Sequence, residues 1–351
     1  MKILAINNYS LDEALADASR GVYPRHHCWG TDYLQREGHE VETLLFKPPR
    51  GSGLFRKCLY AIAFNLKLMR KVRGVDAVVA FANPMIPLLA LWRKWGGLRR
   101  VRLYTLVHHF ERPALLSSGY DKIFFLSEQI MVRAAQALPA LRGRFEFLPW
   151  GGDMPFYASH FEAMSHDPDR PELFFTNGKT ARDVALVAEA CAGMEVPLMV
   201  VTDKVAVHAG KAEVVASGTS GANALDYPSM LSLMERATVS VIPILPGNTD
   251  GRLAGLTSFI DAMALGTPVI LSDNTHMGVD VEALGLGYTY KAGDKADFER
   301  AARRMVSDKG AYVRMSARCH AWAMEHDYLH YCRQLCAVLC PPQKAPGRVR
   351  H

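Results

Sequence analysis

The 351-residue chain has no run of eighteen consecutive apolar residues, so no membrane-spanning helix is expected. A secretory leader is not expected either. The opening MKILAINNYS turns polar after too short an apolar run and reads as a first buried strand. There is no internal repeat and no low-complexity tract. The seven cysteines are odd in number and mostly set among apolar residues, which favours reduced, cytosolic thiols over a disulfide framework. Helix-turn-helix, zinc-finger and aromatic RNA-binding signatures are all missing, so nucleic acid is not an expected partner.

What is present is ample apolar material for two cores. Hydrophobic residues make up 49% and charged residues 22%, and the length suits two domains. Apolar runs alternate with helical spacing. KILAIN (2–7), VETLLF (41–46), DAVVAF (76–81), RLYTLV (102–107) and KIFFLS (122–127) read as buried strands, with helices over 29–38 and 55–73. A second series follows: ELFFTN (172–177), PLMVVT (197–202), VSVIPI (239–244) and PVILSD (268–273). Helices over 182–192, 228–237 and 257–265 separate them. A stretch rich in Gly, Pro and charge at 150–171 reads as the joint. The fold class is therefore α/β, with two Rossmann-like doubly wound domains facing across a cleft. The expected boundaries are 1–152 and 153–321, with a terminal helix over 322–340 packing back across the joint. Ligands belong in the cleft, at the carboxyl ends of the strands.

Charge is unevenly placed. The net is +6, yet residues 47–102 hold thirteen Lys and Arg, interleaved with Phe55, Tyr60, Phe64, Trp92 and Trp95. Two readings stay open here: a peripheral site on an anionic membrane surface, at its inner face, and a solvated helix face beside the core. In the terminal helix, Cys332, Cys336 and Cys340 share one face. They read as packing rather than as a metal site with His330.

Residues 254–274, AGLTSFIDAMALGTPVILSDN, place one acid inside an apolar helix after a glycine-bearing turn. A helix beginning near Thr257 or Ser258 offers backbone N–H groups and a positive dipole end to an anion. Asp261, about one turn along, could then take a sugar hydroxyl. A nucleotide diphosphate would satisfy both. An acid that merely suits the dipole is the competing local reading.

The strand, loop and helix ending in DAMALGTPVI resemble the donor-binding core of GT-B glycosyltransferases of the family-4 type. FFTNGKTARD (174–183), FLPWGGDMPFY (147–157), HHCWGTDYLQREGHEV (26–41), VHHF and FFLSE resemble further family segments in the expected order. The resemblance implies a retaining, nucleotide-sugar-dependent hexosyltransferase acting on an acceptor hydroxyl, in cell-surface glycan or glycolipid assembly. It implies no cofactor, since the nucleotide sugar is a co-substrate.

The resemblance also assigns residues. Lys179 and Arg182, beside Gly178, would hold the diphosphate and stabilise charge growing on the leaving group. Gly30, Gly255, Leu256, Thr257, Ser258 and Asp261 would complete the donor site. Asp261 stands where the family has the second of two glutamates eight apart. The first falls on Leu253, which leaves the donor sugar to backbone groups of 255–258, to Asp250 or to Arg252. His108 ends a strand where the family points a histidine at the donor sugar. His27, Thr31, Asp32 and Ser127 would line the acceptor side, and the insert from Tyr9 to Arg25 would fold over the acceptor. The one Asp-x-Asp, Asp167-Pro168-Asp169, lies in the linker, so no metal is expected. Without a nucleophilic carboxylate, retention would proceed by front-face attack. The alternatives are a same-fold nucleotide-sugar epimerase and a non-catalytic nucleotide-sugar-binding partner of a transferase.

Overall fold

The computed structural model describes residues 1–49, 51, 53–161, 171–178, 181–202, 213–216, 225–249 and 251–341. Two six-stranded sheets, parallel throughout, carry the chain. The N-terminal sheet comprises β1 (Lys2–Asn7), β2 (Glu40–Leu45), β3 (Ala77–Ala80), β4 (Arg102–Val107), β5 (Lys122–Phe125) and β6 (Phe145–Phe147), in the order β2-β1-β3-β4-β5-β6. The C-terminal sheet comprises β7 (Phe174–Asn177), β8 (Leu198–Thr202), β9 (Glu213–Ala216), β10 (Val239–Ile242), β11 (Val269–Ser272) and β12 (Gly287–Tyr290). Its order is β12-β11-β10-β7-β8-β9.

The central strands are apolar on both faces because helices cover both. Ile3, Leu4, Ala5 and Ile6 of β1 are each 0% exposed. The strand order reverses between β1 and β3 in one sheet and between β7 and β10 in the other. Each reversal opens a crevice at the strand ends, where α/β sheets take their ligands.

All nine expected strands form, most with ends trimmed by one or two residues. KIFFLS stops at Phe125 because Ser127 already caps the following helix, Glu128–Ala137, by accepting from the Ile130 N–H. The helix expected over 29–38 shortens to Thr31–Arg36. The terminal helix is two helices, Lys309–Glu325 and Tyr328–Leu339. Asp327 caps the second by accepting from the His330 N–H. The break falls where the joint crosses: Tyr328 N–H donates to Gly152 O (2.8 Å), and a Cβ on Gly151 would meet the His326 carbonyl. Tyr328–Leu339 then lies on the N-terminal half, with Tyr331 and Leu335 buried and Tyr104 Oη donating to Val338 O (3.4 Å). Among the described residues, no helix is long and apolar enough to cross a membrane.

Candidate functional site

The C-terminal crevice is built by β7, β10 and the helix Leu256–Ala264. That helix starts one or two residues earlier than expected, and its cap is Gly255 rather than Ser or Thr. Two constraints demand glycine there. Its φ is +83°, in the left-handed region, and a Cβ would lie 2.4 Å from Ile242 Cγ2. No side chain caps the helix and no acid stands in its first turn, which leaves the end polarised toward an anion.

Arg182 reaches this end from β7. Backbone pairing with Ile244 fixes its position, its Nε donates to Asn177 O (3.0 Å), and its guanidinium lies 3.3 Å from Ser258 Oγ. The close approach over Gly178 leaves no room for a Cβ there, which would meet the guanidinium at 2.7 Å. Burial lowers the Arg182 pKa to about 10, so the group remains a cation at neutral pH. Leu256 and Thr257 lie in the helix's first turn beside it. Lys179, paired with Arg182 in the sequence reading, lies outside the described residues, as do Asp250 and the linker Asp167 and Asp169.

Asp261 is the sixth residue of its helix, deeper than the first turn, and only 1% exposed. It stands three residues from Ser258, on the same face. Its Oδ1 accepts from Tyr157 Oη (2.6 Å) and Tyr227 Oη (2.7 Å). Its Oδ2 is buried and lacks a hydrogen-bond partner among the described residues. Burial raises its pKa to about 6, and the two tyrosine hydrogen bonds partly offset that rise. Neither tyrosine was singled out from sequence. Tyr157 ends the quoted FLPWGGDMPFY segment, and Tyr227 opens the helix Tyr227–Glu235. An aromatic on another helix carries no local signal that it will meet an acid.

The N-terminal insert closes over this acid. Tyr23 stacks on His27 at 4.7 Å and meets Tyr227 edge-on at 5.1 Å. Burial holds His27 down to about 3, so it is neutral. Arg25 N–H donates to Asp153 (2.8 Å), tying the insert to the joint.

Gly30 caps Thr31–Arg36, and its N–H donates to Tyr328 Oη (2.8 Å). The side chains of Thr31, Asp32 and Ser127, expected on the acceptor side, are committed to internal bonds. Thr31 Oγ1 donates to Cys28 O (2.7 Å) and is fully buried. Asp32 accepts from Tyr328 Oη and pairs with Arg36. Ser127 Oγ donates to His276 O (2.7 Å), bridging the two halves.

His108 directly follows β4 and points its Nε2 at Phe81 O, 2.8 Å away. A carbonyl only accepts, so Nε2 carries the proton and Nδ1 is a bare acceptor. Burial lowers its pKa to about 4, and Trp29 meets it edge-on at 5.2 Å. The next residues clasp the other half: His109 pairs with Arg252, and Arg252 forms an ion pair with Glu111 (2.6 Å). Arg252 is thus engaged by the N-terminal half. Leu253 beside it is 7% exposed and packs in the core.

No family model matches the chain, and no curated protein matches it. Solved structures do. A glycosyltransferase from Rickettsia africae superposes with a TM-score of 0.67 at 10% identity, covering 96% of this chain and 97% of that one. HepE from Anabaena, solved with UDP-glucose, gives 0.63 at 13% identity over 97% and 99% of the two chains. Sucrose-phosphate synthase from Thermosynechococcus elongatus gives 0.68 at 13% identity over 96% and 98%. At these identities the likeness establishes the fold. The chain has the GT-B architecture of two facing Rossmann-like halves.

Proposed function

We propose that the protein is a glycosyltransferase that moves a hexose-like sugar from a nucleotide diphosphate to an acceptor hydroxyl. One observation carries the reading. A half-buried cation, Arg182, and an uncapped helix start converge at the switch point of the C-terminal sheet, with a half-satisfied carboxylate three residues beyond Ser258 on the same face. An anion at the first and a ribose hydroxyl donating to Asp261 Oδ2 would satisfy both, as a nucleoside diphosphate requires. The solved complexes of HepE with UDP and UDP-glucose support a nucleotide sugar as the ligand class.

In this reading Arg182, with Lys179 and the helix start, neutralises the departing diphosphate, so no metal is needed. His108 accepts a hydrogen bond from a sugar or acceptor hydroxyl at Nδ1. Retention follows from front-face attack, with the leaving phosphate taking the acceptor's proton. Incubation with a panel of nucleotide sugars tests this. Nucleoside diphosphate release that depends on an acceptor is expected, and no release with any donor overturns it. Leu253 favours a second reading, a non-catalytic partner, for which the same panel would show binding alone.

The acceptor is proposed to be presented at an anionic membrane, in cell-surface glycan or glycolipid assembly. The helix Leu54–Lys71 contains no acid. Phe55, Leu59, Ile62 and Leu66, spaced for one helix face, are 76%, 50%, 46% and 55% exposed, and Trp95, which caps the C-terminus of the helix Pro87–Lys94, is 74% exposed. Residues 47–102 carry thirteen cations and a single acid, Asp76, so the rest of a chain with net charge +6 is acidic. An apolar stripe rimmed by cations fits a cytoplasmic leaflet, each basic residue contributing about 1 kcal/mol. Flotation on vesicles rich in anionic lipid should carry the protein at low salt and release it as salt rises. Protein left in the soluble fraction at low salt overturns this part and leaves a small soluble acceptor.

A further inference from the structure

The cysteine face of the terminal helix divides in the structure. Cys332 is 1% exposed and packs beneath Gly30, as an apolar side chain would. Cys336 and Cys340 are only half-buried and point elsewhere, and His330 does not join them: it is exposed and hydrogen-bonded to Gln334. The third group is His39, which precedes the edge strand β2 and is distant in sequence. One ligand atom from each of His39, Cys336 and Cys340 lies within 4.8 Å of the others.

We propose that His39, Cys336 and Cys340 form a binding site for a thiophilic d¹⁰ cation, zinc in the first instance. Cys336 lies in the last turn of the helix and Cys340 caps its C-terminus, its N–H donating to Cys336 O (2.8 Å), so one turn separates the two thiols. Two thiolates and an imidazole suit a tetrahedral ion with bonds of about 2.3 Å to sulfur and about 2.0 Å to nitrogen. Such bonds set ligand atoms roughly 3.5 to 4 Å apart, so side-chain torsions must draw the three together by up to about 1 Å. Half-buried side chains can make that adjustment. The fourth position falls to water or to Glu37, whose charge acts on Cys336. In the protein as it stands, burial pushes both thiols up, Cys340 to about 11; the neighbouring Cys336 adds to the rise at Cys340, while the hydrogen bond with Cys340 lowers Cys336 in part. Binding a cation therefore displaces two protons, and affinity rises with pH.

The site would do mechanical work. Its two thiols belong to the helix that follows the C-terminal sheet, and its histidine lies against β2 of the N-terminal sheet. A bound ion would staple that helix to the N-terminal half. The same helix holds the Gly30 turn through Tyr328. This inference is independent of the proposed reaction, and the site lies away from Arg182 and Asp261.

The test titrates the full chain, reduced with a non-thiol reductant, with Zn²⁺ against a chromophoric chelator, and with Co²⁺ by near-ultraviolet absorption. One equivalent is expected, with thiolate-to-cobalt charge transfer and a raised melting temperature. Cys336→Ser, Cys340→Ser and His39→Ala should each weaken binding by about 100-fold, while Cys58→Ser, at an exposed cysteine on another helix, should change nothing. Circular dichroism confirms that each variant is folded. Sub-stoichiometric binding, binding that survives Cys336→Ser/Cys340→Ser, or loss on Cys58→Ser overturns the proposal.

Discussion

The two halves contain the same local device at two places, with opposite outcomes. Gly30 and Gly255 each begin a helix with φ of +83°. In the N-terminal half the turn is already neutralised. Asp32 stands in the first turn, Tyr328 Oη takes the Gly30 N–H, and the terminal helix covers both. In the C-terminal half no acid enters the first turn, and the group brought to it is the Arg182 guanidinium. A glycine-capped helix start is therefore not an anion site by itself. What the rest of the fold places against it decides whether its field is cancelled or reinforced.

The largest expected effect concerns Asp261, whose buried carboxyl has a pKa of about 6 against 3.8 for the free group. Folding holds its proton more tightly, so roughly 3 kcal/mol of stability is present below pH 3.8 and is lost as pH rises through about 6. Denaturant melts of the apo protein between pH 4 and 7 should show this slope, and Asp261→Asn should flatten it. An unchanged slope in the variant would assign the effect to another group. Nucleotide affinity should run the other way. A ribose hydroxyl donating to Oδ2 favours the ionised acid, so binding should weaken as pH falls below about 6.

Arg182→Ala should cost nucleotide binding about 1.5 to 3 kcal/mol, the range for hydrogen bonds to charged groups. Calorimetry that finds unchanged affinity would erase the difference between the two helix starts. Asp32→Ala is the reciprocal experiment. Leaving Tyr328 Oη without its acceptor should destabilise the fold by about 1 to 3 kcal/mol, with nucleotide affinity unaltered. A gain in nucleotide binding would mean that the N-terminal turn is a latent anion site. Smallest is His108→Ala, which removes one neutral acceptor. Turnover should fall about three- to tenfold, with nucleotide affinity retained. Loss of affinity with intact turnover would move His108 out of the reacting region.

Much of the fold could be read directly. Buried parallel strands are apolar on both faces, so β1, β4, β7 and β10 announce themselves as continuous runs. The three strands that went unread, β6, β9 and β12, all lie at sheet edges. An edge strand is covered on fewer sides, and Phe-Glu-Phe or Gly-Tyr-Thr-Tyr need not be apolar throughout. The broken terminal helix escaped for a related reason: helical periodicity runs on through His326 and Asp327, and only the joint packing against them shows the break.

At the site, sequence could name residues whose chemistry is local. Gly255, Arg182 and Asp261 sit in segments whose strand–loop–helix order fixes their place at a strand end. Sequence alone also determined the two α/β halves and the concentration of cations between 47 and 102, because both rest on short-range pattern and composition. The tertiary structure alone decided which acid is buried under two tyrosines, which helix start stays open to an anion, and that His39 rather than His330 meets the cysteines. Those outcomes depend on contacts between elements far apart in the chain, and on burial. Hydrogen-bond partners and pKa shifts belong to the packed assembly, not to any one segment of it.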